Sequence, residues 1–150
     1  MSDRPYATDN DVERKRLASL VARLRDQDLA RPMPGGWTIA SVLGHVGFWD
    51  QRIIELVQTW RRAGVGSPPV PIDERSVDWI NDAAKPFLLA LTPRRTAELA
   101  VSIAEAVDRA VAELPEDFVA ANRRAGSPIN LDRAEHRREH LDEIEAALRG

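Results

Sequence analysis

Cysteine is absent from this chain, which excludes disulfides, thiolate zinc sites, iron–sulfur clusters and cysteine nucleophiles together. Any metal it binds must take nitrogen or oxygen ligands. Lysine is almost absent as well: of 21 basic residues only Lys15 and Lys85 are lysine, a bias that points to a GC-rich host rather than to any physical demand. No segment approaches roughly 18 consecutive apolar residues, and the opening MSDRPYATDN lacks the charged and then apolar runs of a secretory signal. A cytoplasmic protein with no membrane partner is the expectation. The net charge is −3, with arginines and carboxylates interspersed, so there is no basic stripe of the kind that neutralises phosphates and no nucleic-acid partner is expected. Apolar alternation with β-branched residues is also missing, which argues against strands.

What is present is alanine, leucine, arginine and glutamate at helical spacing almost throughout, so the fold class is all-α, in one domain over 1–150. A first helix is predicted to begin after Asp9 or Asn10 as its cap, with residues 1–8 frayed ahead of it. It carries Leu17, Leu20, Val21 and Leu24 inward and ends before Arg31. Thr38 caps a second helix running to about Arg62, with Trp37 and Val42 as a hydrophobic staple. On a wheel of ~100° per residue, Ile39, Val42, Val46, Trp49, Ile53, Leu56, Val57 and Trp60 form one stripe, and His45 lies at its edge. The segment from Gly64 to Ile72 is rich in proline and, if extended, spans roughly 28 Å. It is long enough to return the chain along the bundle, making the third helix parallel to the second. That third region opens near Asp73 and reaches about Leu114, kinked or split at Pro86 and at Leu91-Thr-Pro93. The last helix runs to the end, with Ser127 or Asn130 as cap.

The chain has three histidines. His136 and His140 are four residues apart on a helix, which sets two imidazoles about 5–6 Å apart on one face. Two such rings can share one ion at ~2.0–2.1 Å, with a third ligand supplied by another helix, and His45 is the histidine that remains. His136, Glu139 and His140 also satisfy the inverted zinc-protease spacing H-x-x-E-H, but that pattern needs a distant acidic ligand downstream, and only ten residues follow His140. A di-iron carboxylate site would need glutamate where Arg133 and Arg137 stand.

The run Pro34-Gly-Gly-Trp-Thr-Ile-Ala-Ser-Val-Leu-Gly-His45-Val-Gly-Phe-Trp-Asp50 resembles the DinB-like superfamily. So do Asp78-Trp-Ile-Asn81 and Glu135-His-Arg-Arg-Glu-His140-Leu-Asp-Glu-Ile near the end. Its relatives include mycothiol-dependent maleylpyruvate isomerase and thiol S-transferases. The resemblance implies a four-helix bundle of up-down-down-up topology with a long crossover between its second and third helices. It also implies metal ligation by His45, His136 and His140, nickel, zinc or iron as the ion, and a homodimer. Apolar residues left over when the third region and Trp60 are placed on one bundle support the dimer.

Three neutral imidazoles leave one coordination position open, as catalytic sites do. That position can activate water, giving a hydrolase, or hold a small-molecule thiolate, giving a transferase or isomerase that acts on a small-molecule substrate. The resemblance favours the second, with mycothiol or another low-molecular-weight thiol supplying the sulfur this chain lacks. A non-catalytic bundle that only sequesters metal or ligand is the alternative. Glu139 and Glu143 flank the ligand face and are candidates to orient an imidazole or accept a proton. Arg52 is a candidate to bind a substrate carboxylate, with a surface ion pair as its other use. Asn81 can reach either the bundle interior or a pocket. Trp49, Trp60 and Trp79 are candidates for pocket walls or for core filling.

Overall fold

A computed structural model describes residues 4–150 and is all-helical apart from one small hairpin. The elements are α1 (Pro5–Arg23), α2 (Asp26–Leu29), β1 (Pro32–Met33), β2 (Trp37–Thr38), α3 (Ile39–Ala63), α4 (Glu74–Ala90), α5 (Pro93–Ala112), α6 (Glu116–Arg124) and α7 (Ala134–Arg149). The hairpin pairs Met33 with Trp37. Its turn, Pro34-Gly35-Gly36, places both glycines at positive φ, a region that side chains with a Cβ avoid.

The first helix starts at Pro5, earlier than expected, because proline at the first helical position needs no hydrogen-bond partner for its missing N–H. Residues 5–8 are therefore helical, and the part of the expected frayed lead at 1–3 lies outside the described residues. Asn10 is not a cap. It is buried, and its side chain bridges to α7: its amide donates to the Leu131 carbonyl at 3.0 Å, while its Oδ1 accepts from the Arg133 and Ala134 amides at 2.7 and 3.0 Å. Asn10 and Asp132 thus satisfy the start of α7, where Ser127 or Asn130 was expected. Ser127 sits instead at φ 57° in the preceding loop, which Asn122 closes by bonding both the amide and the carbonyl of Ile129. The short helix α6 was not anticipated, since its nine residues carry too few apolar positions to show a period.

Thr38 caps α3 as expected, its Oγ1 accepting from the Ser41 amide at 3.1 Å while Ser41 Oγ accepts from the Thr38 amide at 2.8 Å. The third helical region divides at Leu91-Thr92, with Pro86 kept inside α4. The chain is carried back alongside α3 by α4 itself rather than by the extended spacer. Asn81 meets Trp49, and farther on Leu88 lies against Gly44. Then α5 sets out beside the same stretch of α3. A Cβ on Gly44 would stand 2.8 Å from Thr96 Cγ2, and one on Gly47 3.3 Å from Ala100 Cα, so small residues let these two helices approach closely.

The apolar core falls into two clusters. One holds Leu17, Leu20, Leu29, Ile39, Leu43, Leu141 and Ile144; the other holds Ile53, Val57, Trp60, Val107, Leu114 and Ile129. On α3 a buried carboxylate, Asp50, falls between Leu43 of the first and Ile53 of the second. No helix among the described residues is long and apolar enough to cross a membrane.

Candidate metal centre

His45 projects from α3, and His136 and His140 from successive turns of α7. The three rings meet edge to face, with centroids 4.7–5.0 Å apart. His136 Nε2 lies 3.1 Å from the Nε2 of His45 and 3.1 Å from that of His140, and the three potential donor atoms all fall within 4.8 Å of one another. A tetrahedral ion with bonds of ~2.0–2.1 Å separates its nitrogen ligands by roughly 3.3 Å. The constellation therefore has the size and the donor chemistry for one divalent ion, and among the described residues no fourth histidine, aspartate or glutamate joins it.

Electrostatics keep two of these donors, His45 and His136, in the form a metal needs. Burial, and then the nearby His140, push the His45 pKa down to about 4. Burial leads again at His136, followed by repulsion from His140, His45, Arg133 and Arg137, and takes it down to about 3. His140 Nδ1 is 3.3 Å from Glu143 Oε2, a contact that suits the tautomer protonated at Nδ1, in which the Nε2 lone pair faces the other histidines. Of the two glutamates expected near the site, Glu143 thus touches a ligand ring, while Glu139 is exposed and lines the adjoining cavity.

Two cavities open on the cluster and share His45, His140 and Asn81 as walls. One, about 660 Å³, is mostly apolar, lined by Met33, Trp37, Val42 and Ala147. The other, about 590 Å³, contains Trp49, Arg52, Ile72, Arg133 and Glu139. Arg52, Asn81 and Trp49 are brought together here. The Trp49 indole N–H donates to Asn81 Oδ1 at 2.7 Å, and the Arg52 guanidinium lies over the Trp49 ring, 5.7 Å from its centroid. The other two tryptophans are elsewhere. Trp60 is core, buried against Phe118, so it is not left over for a dimer contact, and Trp79 is 61% exposed. Trp37, read only as a staple, turns its ring edge toward His45 at 5.7 Å and walls the apolar cavity.

A cluster of charges beside the histidines was missed. Arg137 is fully buried and bonds Asp108 at 2.7 and 2.9 Å and Asp50 at 3.2 Å. Arg133 takes the other Asp50 oxygen at 2.9 Å. Burial opposes the Arg137 charge, but Asp108 and Asp50 outweigh it and hold its pKa above the ordinary value. The signal was available: Asp50 sits inside the apolar stripe of α3, and a carboxylate on a buried face requires a cation.

Comparison with protein families gives a match between residues 10–144 and a family model described as the DinB superfamily. No match was found among curated proteins or among solved structures.

Proposed function

Because the chain belongs to the DinB superfamily, we propose that it is a divalent-metal-dependent enzyme, a transferase or isomerase that uses a low-molecular-weight thiol on a small-molecule substrate. The observation that carries this reading is the cluster of three convergent imidazoles, with no fourth ligand among the described residues, opening on two cavities. His45, His136 and His140 would hold nickel, zinc or iron, and Glu143 orients His140. When bound, the ion supplies Lewis acidity that lowers the pKa of a thiol in the open position. With no cysteine in the chain, that thiol comes from outside, with mycothiol the first candidate. The apolar walls at Met33, Trp37 and Val42 would limit water in one cavity, and Glu139, on the wall of the other, would accept a proton.

The proposal extends to architecture. We read α1, α3, α5 and α7 as an up-down-down-up bundle located in the cytoplasm. In support, Arg14 reaches Asp108 while Arg94 reaches the Val21 carbonyl, opposing α1 and α5; Glu13 pairs with Arg138 and Arg16 with Asp142, aligning α1 with α7. A homodimer through α4 is part of the same reading, supported by the exposure of Val70 (83%), Trp79 (61%) and Phe87 (77%) on or beside a helix with no buried residue. Light scattering should give twice the chain mass, and a Trp79→Ser, Phe87→Ser double variant should give one.

The test of function is cobalt substitution. Elemental analysis should find close to one ion per chain after loading. Mycothiol, bacillithiol or glutathione should then add an intense near-ultraviolet sulfur-to-cobalt band and raise the melting temperature. If none of these thiols changes either signal, the thiol reading fails and metal-assisted hydrolysis or ligand sequestration takes its place.

A further inference from the structure

Eight arginines are buried or half-buried: Arg4, Arg14, Arg16, Arg31, Arg52, Arg94, Arg133 and Arg137. Seven of them hold a carboxylate or a backbone carbonyl. Arg52 is the exception, with no ion pair or hydrogen bond among the described residues. A guanidinium partly withdrawn from water with no protein acceptor carries a cost that an acceptor bound in the cavity relieves. Its surroundings make that cost worse. Burial, and then repulsion from Arg133, lower its pKa, while Arg133 itself is paired with Asp50.

Arg52 is nevertheless held in place. Its guanidinium lies over the face of Trp49, which leaves the N–H edge free for a planar acceptor. Trp49 in turn is fixed by its bond to Asn81, and because Asn81 Oδ1 receives the indole proton, the Asn81 amide N–H groups remain as donors in a residue that walls both cavities. The cavity that contains Arg52 also contains the three histidines and Arg133, with Glu139 as its one carboxylate wall. Its lining therefore presents a fixed, unused cationic fork and spare amide donors beside the three imidazoles.

We propose that Arg52, positioned by Trp49 and assisted by Asn81, is a subsite for a carboxylate on the molecule that binds at the histidine cluster. The inference deepens the thiol-dependent reading and rests on it for the reaction. It adds the chemical class of ligand: small molecules bearing a carboxylate within a few bonds of the reacting group. A bidentate guanidinium–carboxylate pair in a partly desolvated site gives a preference of about tenfold or more over a neutral isostere.

The test uses cobalt-loaded protein and two probes that differ in one group, 3-mercaptopropionate and 3-mercaptopropionamide. Affinity is read from the Trp49 indole N–H resonance, and sulfur ligation from the cobalt charge-transfer band. The acid should bind at least tenfold tighter than the amide. Arg52→Gln should reduce that preference to less than twofold, with unchanged cobalt content and unchanged amide affinity, and Arg52→Lys should restore part of it. Equal affinities in the unmodified protein, or a preference that survives in Arg52→Gln, would overturn the subsite. If neither thiol produces the cobalt band, the thiol reading has failed by itself. The subsite is then decided by butyrate against butyramide: it stands if butyrate alone moves the Trp49 resonance in an Arg52-dependent way and falls if the two act alike.

Discussion

Helix α7 and its cap residue Arg133 build two sites from interleaved residues, Arg133 and Arg137 for one and His136 and His140 for the other, and the two are finished in opposite ways. The arginines meet Asp50 and Asp108 in an arrangement where each charge has a counter-charge at 2.7–3.2 Å. The histidines bring their Nε2 atoms together with that of His45 around a common centre, and no further ligand among the described residues completes them. A polar cluster closed on itself holds helices together. One left incomplete by a single ligand is a place for something else to bind.

Breaking the closed cluster should have the largest effect. Arg137→Ala removes the guanidinium that bridges two buried carboxylates, leaving Asp50 only Arg133 and Asp108 only Arg14, and should lower unfolding stability by about 3 kcal/mol, measured by urea denaturation. His45→Ala, His136→Ala and His140→Ala should leave the helical circular dichroism signal intact but lose the ion. The affinity loss should exceed the roughly ten- to hundredfold penalty of removing a supporting partner. A His45 variant that still binds one ion per chain would show that α3 does not supply a ligand. Glu143→Gln weakens only the orientation of His140, so metal affinity should fall about tenfold with the stoichiometry unchanged.

The smallest effect is on pH dependence. In metal-free protein His45 and His136 titrate near 4 and 3, against about 6.5 when unfolded, so the unfolded chain takes up protons first as pH falls. Above about 6.5 these groups contribute no pH dependence; below it, stability declines. Between pH 7.5 and 6 the loss should be under about 1 kcal/mol per imidazole. It should diminish in the His45 and His136 variants, and a urea midpoint that rises on acidification would contradict the assignment.

Much of the open cluster could be read from the sequence, and little of the closed one. Scarcity made the histidines conspicuous: three in the chain, two at helical spacing and one at the edge of an apolar stripe. The arginines were hidden by abundance, since nothing in Arg133 or Arg137 distinguishes them from the exposed Arg138 next in the chain. The Thr38 cap and the break at Leu91-Thr92 were legible because local backbone chemistry dictates them. Asn10 as a long-range cap for α7 was not, because its partners lie more than 120 residues away. The return of the chain through α4 was missed for a similar reason. Its length matched an extended spacer, and the few contacts that seat it, such as Trp49 with Asn81, have no periodic signature.

Helix α4 has one further consequence. It contains no buried residue, and what secures it to the rest is sparse: the Asn81 bond to Trp49, the Lys85 ammonium on the Gly35 carbonyl and the Trp37 face, and Leu88 against Gly44. An element fastened at so few points detaches at a lower free energy than the whole fold, so its amides should exchange with deuterium well ahead of those in α3 and α5. Because Asn81 walls both cavities, the same excursion widens both mouths at once. How often a ligand reaches the histidines would then depend on the breathing rate of this one helix, while the bundle beneath it remains folded.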